Sequence, residues 1–235
     1  MADRIVRSSK NHIMHSSTTH IVRSSKNHIS ERQKMTTTTA ARVLAFWFGE
    51  LNDAGFAASE FIQRWFKKDA AFDDAIRAEF GDAHTAAING ELDGWQKQPK
   101  SALARVILID QFSRNMFRDD PRTWAYDEIA LAASRDMIAR GFDKRLRTHE
   151  RVFVYMPLMH AEDLGAQQSC VAQFEALVAE LEGDAAKAIG NNVTYAIRHM
   201  EIVERFGRFP HRNGVLARAS TAEEVAFLQE PGSSF

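Results

Sequence analysis

From Thr36 to the C-terminus the apolar residues recur every three or four positions, and no stretch sustains the alternation of a strand. That periodicity predicts a chain of amphipathic helices. Ala41 to Phe48 opens behind a threonine run that can cap it and closes at Gly49. Between Ser59 and Phe80, Ile62, Trp65, Phe66, Phe72, Ile76 and Phe80 define one helical stretch with Gly81 as its stop. Ser101–Phe117 and Pro121–Ala139 follow, the latter with Asp120 as N-cap, Pro121 in the first turn and Gly141 past the end. Thr148–Leu164 carries Pro157, which should kink or divide it. Gln167–Leu181 and Ala185–Phe206 come next. The last helix starts at Ser220, paired with Glu223 as a capping box. The fold class is all-α, and the short connections predict antiparallel helical hairpins.

Residues 1–34 break this pattern. The nonapeptide Ile5–Ile13 recurs unchanged at Ile21–Ile29, too short a unit to stack as a solenoid, which needs roughly 20 residues or more per repeat. Seven basic residues stand there against Asp3 and Glu31, with too few apolar groups to order a core. The segment reads as a disordered basic tail translated upstream of a natural start at Met35. A basic arm or a transit peptide is the alternative. Residues 35–235 form the predicted domain.

Composition narrows the partners. Lys and Arg number 30 and Asp and Glu 31, so nothing draws the chain as a whole to nucleic acid. A single cysteine, Cys170, fits a reducing compartment, and no run reaches the roughly 18 apolar residues of a membrane span. The expected location is the cytoplasm, away from the membrane.

Polar groups stand where a core helix should be dry. In Leu103–Arg118, an almost wholly apolar first half leads into Asp110, Arg114 and Arg118, four apart on one face, with Gln111 and Asn115 on the adjoining row. The stripe is either a salt-bridged surface or the wall of a cleft whose arginine forks meet an anion. After Pro157, His160, Asp163 and Gln167 share a face and Glu162 lies beside them. Carboxylates on either side along the helix would raise the His160 pKa and fix its tautomer, as suits a general acid or base, with Glu162 or Asp163 assisting. In RFGRFPHRN, Gly207 and Pro210 force a turn that gathers Arg208, His211, Arg212 and Asn213 around two phenylalanines. That turn is either a helix cap or an anion pocket. HExxH, CxxC, P-loop, GxSxG and GxGxxG patterns are absent, so no metal or cofactor is expected.

GELDGWQ (Gly90–Gln96), IDQFSRNMFRDDPR (Ile109–Arg122), YMPLMHAED (Tyr155–Asp163), FGRFPHRN (Phe206–Asn213) and LARASTAEE (Leu216–Glu224) occur in this order. The combination resembles the mainly bacterial domain-of-unknown-function 924 family, from Arg42 to Phe235. The resemblance implies an all-helical, tetratricopeptide-like superhelical bundle and carries no activity with it. Positions matching its motifs are Asp110, Gln111, Arg114, Asn115, Arg118, His160, Glu162, Arg208, His211, Arg212 and Asn213. Three functions are open on this basis. The first is binding of an anionic small molecule or peptide in an Arg/His-lined groove. The second is a metal-independent acid–base hydrolase or lyase using His160. The third is a protein–protein interaction module without a ligand pocket.

Overall fold

The computed structural model describes residues 40–234; the basic segment 1–34 and the start at Met35 lie outside that range. Helix α1 (40–48) ends at Gly49, whose φ of 61° no side-chain-bearing residue adopts comfortably. Trp47 and Phe48 of α1 meet Trp65 of α2 (Ser59–Phe66), and Trp65 donates Nε1–H to Trp47 O at 2.9 Å. Lys67 and Lys68 interrupt the long helix expected over Ser59–Phe80. Asp69 then caps α3 (Ala70–Ile88) by accepting from Ala71 N and Phe72 N. Gly81 does not stop this helix: α3 continues for seven residues beyond it, and a β-carbon added there would meet open space. Among the described residues the only β pairing is an isolated antiparallel bridge, Leu51 to Ala57.

Two helical runs form the centre. One comprises α4 (Pro99–Val106), a π-helical turn (Ile107–Gln111) and α5 (Phe112–Met116), and it is buried from Ala102 to Ser113. In the π turn Phe112 N reaches Ile107 O, five residues back. The other is α7 (Thr148–His160), buried from Thr148 to Met159 with Pro157 inside an unbroken helix. Of the kink or division expected at Pro157, the division does not occur: the helix runs through to His160. Phe153 of α7 packs edge-on against Trp47, Phe48 and Trp65, which ties α1 and α2 to this centre.

The helix expected from Pro121 starts later. Asp120 caps a 3-10 turn (Pro121–Thr123), a turn over Trp124–Tyr126 follows, and α6 (Asp127–Ala139) begins at Asp127. Helices α6, α7, α8 (Leu164–Ala179) and α9 (Gly183–Phe206) each pack on the next, and the short links make α7, α8 and α9 turn back on one another. Beyond Gly207 a 3-10 turn (Pro210–Arg212) precedes α10 (Ala222–Phe227). The α10 capping box falls one residue later than expected, on Thr221 and Glu224, because Ser220 Oγ accepts from Asn213 instead. No described helix is long and apolar enough to cross a membrane.

Candidate functional site

The site is built where the π turn meets the C-terminal end of α7. Asp110, 1% exposed at its side chain, is held by three side chains. Its Oδ1 accepts from His160 Nδ1 at 2.8 Å and lies 3.1 Å from Arg114 Nη1, while Oδ2 accepts from Gln111 Nε2 at 2.5 Å. Two carbonyls of the π turn accept from side chains four residues on: Ile109 O from Ser113 Oγ and Asp110 O from Arg114 Nη1. Burial pushes the Asp110 carboxyl up. The Arg114 guanidinium and the His160 and Gln111 hydrogen bonds outweigh it and hold the pKa at about 2.

His160 comes to this carboxylate from α7 with its backbone pinned on both sides. Gln167 of α8 donates to Met159 O and to Ala161 O, each at 2.7 Å, and Arg212 Nη2 donates to His160 O at 2.9 Å. An ionised carboxylate can only accept, so His160 carries its proton on Nδ1 and leaves the Nε2 lone pair free. Among the described residues no group hydrogen-bonds Nε2, and the side chain keeps 13% exposure. The expected rise in the His160 pKa does not occur. Burial and the Arg114 charge lower it, against the pull of Asp110, so the ring is neutral near pH 7.

Asp127, at the first position of α6, completes the arrangement. Its carboxylate meets Arg114 Nη2 at 2.9 Å and Arg212 Nη1 at 3.2 Å. Arg212 reaches in from the Pro210–Arg212 turn, 4.5 Å above the Phe209 ring and 5.5 Å from Trp124. Burial, with the Arg114 charge beside it, lowers its pKa to about 10 against the pull of Asp127. Its Nε is buried with no hydrogen-bond partner among the described residues.

The other predicted site residues go elsewhere. Arg118 lies past the end of α5, so helical spacing no longer governs it, and it closes on Asp73 of α3 at 2.5 and 2.9 Å. Asn115 donates to the same carboxylate at 2.8 Å. Arg208 is paired with Glu224 through both oxygens at 2.6 and 2.8 Å. Glu162 accepts from Phe209 N at 2.8 Å and from both terminal nitrogens of Arg218; Arg218 Nε donates to Asn213. Asp163 caps α8 through Ala166 N and pairs with Arg135, so neither carboxylate assists His160. His211 lies 5.7 Å from the Phe209 ring, its pKa lowered to about 4 by burial and by Arg212.

Sequence reasoning missed Asp127, Trp124, Asp73 and Arg218. Arg218 stood inside the LARASTAEE motif; Asp127 offered only an acidic residue in a helix's first turn. Among the described residues no group of three or more His, Cys, Asp or Glu side chains is arranged for a metal ion. Ser113 Oγ donates to Ile109 O and meets His84 Nε2 at 2.8 Å, which removes it as a nucleophile for His160. Cys170 is buried, and burial pushes its thiol pKa far up. A groove of about 500 Å³ runs between the end of α9 and α10, beside Arg198, Ile202, Arg205, Phe206 and Phe227, and no predicted site residue lines it.

The profile of a family described as bacterial protein of unknown function (DUF924) matches residues 43–232, and the chain belongs to that family. A solved structure, of the protein of unknown function ATU0120 from Agrobacterium tumefaciens, is similar at 40% identity and a TM-score of 0.71. The match covers 83% of this chain and 98% of that one. No curated protein matches the chain.

Proposed function

We propose that this chain is an acid–base enzyme of the hydrolase or lyase kind, in which His160 Nε2 takes a proton from a small molecule. The observation that carries the reading is the Asp110–His160 pair at 2.8 Å with Nε2 unclaimed. A buried carboxylate on Nδ1 holds the ring in one tautomer and stabilises the imidazolium that forms, the relation known from acyl-transfer triads. Here the proton-transfer role stands alone, since no serine or cysteine hydrogen-bonds the ring among the described residues. Arg114 and Arg212 lie beside the base and would stabilise negative charge developing on the substrate.

A second reading follows from charge balance. Asp110 and Asp127 neutralise Arg114 and Arg212, so the cluster could serve only to fasten the π turn, α6, α7 and the Pro210–Arg212 turn of an interaction module. Incubating the protein in D₂O with a panel of small carbonyl and carboxylate compounds separates the two. Deuterium entering a carbon position with wild-type protein, and not with His160→Asn, supports the base. Exchange no faster than buffer across the panel, with long-range ¹⁵N NMR placing the proton on Nε2, would defeat it.

A further inference from the structure

A pair of buried guanidiniums cannot stand without an anion, because the uncompensated charge costs far more than the pair returns. The anion between Arg114 and Arg212 is the Asp127 carboxylate, with Oδ1 and Oδ2 at 2.9 and 3.0 Å from Arg114 Nη2 and Oδ2 at 3.2 Å from Arg212 Nη1. This bridging is what a small carboxylate would adopt in an arginine clamp.

The two acids of the cluster differ in how firmly they are held. Asp110 is 1% exposed, is fixed by three side chains and sits in mid-helix. Asp127 is 15% exposed, its carboxylate takes bonds among the described residues only from the two arginines, and it follows the Trp124–Tyr126 turn. Swung toward water, it would remain an acidic residue in the first turn of α6, which the helix dipole favours. Exchange of one carboxylate for another leaves both guanidiniums paired throughout. Arg212 also holds a buried Nε–H that Asp127 leaves unbonded.

We propose that Arg114 and Arg212 bind the carboxylate of the molecule on which His160 acts, and that Asp127 keeps this place until that ligand displaces it. The substrate class is therefore a small carboxylate. The identity of the acting base rests on the reading above, whereas the binding step does not.

The test uses the full chain with acetate and formate as probes, titrated against chloride of equal ionic strength and followed by melting temperature and NMR. Asp127→Asn removes the competing carboxylate, so acetate should bind about tenfold more tightly than to wild type. Adding Arg212→Met to that variant should abolish the gain. Equal affinity in wild type and Asp127→Asn, or a gain that survives Arg212→Met, overturns the proposal. If Asp127→Asn does not fold in chloride, folding restored by acetate or formate supports the clamp, and folding in neither overturns it. Binding and exchange measured on the wild-type protein separate the two ideas. Acetate binding kept without any deuterium exchange in wild type retains the clamp and removes the base, and exchange without binding does the reverse.

Discussion

Asp110 and His160 stand fifty residues apart in sequence and 2.8 Å apart in space, each at a point where a buried helix changes character. Asp110 lies in the π turn and His160 is the last residue of α7. Replacing Asp110 by Asn removes the negative charge that opposes the lowering of the His160 pKa, so that pKa should fall further. It also strips Arg114 of a buried partner, which should cost about 3 kcal/mol. His160→Asn should cost about 2 kcal/mol, the worth of one hydrogen bond to a charged group. Urea denaturation with ¹³C NMR of the histidine rings checks all three.

Breaking the Arg118 pair should destabilise the protein without touching the site. Asp73 is buried and takes its ion pair from Arg118, with Asn115 alone left if that arginine goes. Arg118→Ala should lower stability by about 3 kcal/mol while the His160 tautomer stays as in wild type. A changed His160 spectrum in that variant would show that the two clusters are coupled.

Acid should weaken the fold through its histidines first. His84 is buried against Ser113 Oγ, and His149 Nδ1 accepts from Ala57 N, so both are held neutral, with pKa values lowered to about 4 by burial. In the unfolded chain they titrate near the ordinary value of 6.5. Between these limits the unfolded state binds more protons, so stability falls as pH drops from 6.5 toward 4 and is level above that window. Carboxylates held at about 2, such as Asp110, add a separate loss below their ordinary range. Equilibrium unfolding at pH 7, 6 and 5 should show the histidine slope, and His84→Gln should flatten it.

Two glycines should respond in opposite directions. Gly81 lies inside α3 with open space around it, so Gly81→Ala should stabilise by about 0.5–1 kcal/mol. Gly49 has φ 61°, and a β-carbon there would sit 2.5 Å from the Phe61 ring. Gly49→Ala should therefore cost more than the roughly 1–2 kcal/mol of the left-handed conformation alone. Melting curves of the two variants decide the matter.

The helical class was legible because apolar spacing and glycine stops dominate most segments; Gly49, Gly141 and Gly207 all carry positive φ just beyond helix ends. What failed was phase. The Asp110–Arg114–Arg118 stripe assumed an uninterrupted 3.6-residue repeat, but a π turn and an early end at Met116 turn Arg118 toward Asp73. The His160 stripe assumed that its partners lay on its own helix, whereas its carboxylate comes from α4–α5 across the core. Asp127 was invisible because the Pro121 signal marks a 3-10 turn, with the true helix six residues later.

Arg212 joins Asp127 and the His160 carbonyl across 85 and 52 residues of chain. During synthesis Asp127 leaves the ribosome well before the arginine that shares its charge. A nascent chain ending at α9 thus holds Arg114 and both carboxylates with one cation short. Arg212, made after both of its partners, is then a closing clasp, and a chain cut before it would be left with an electrically unfinished interior.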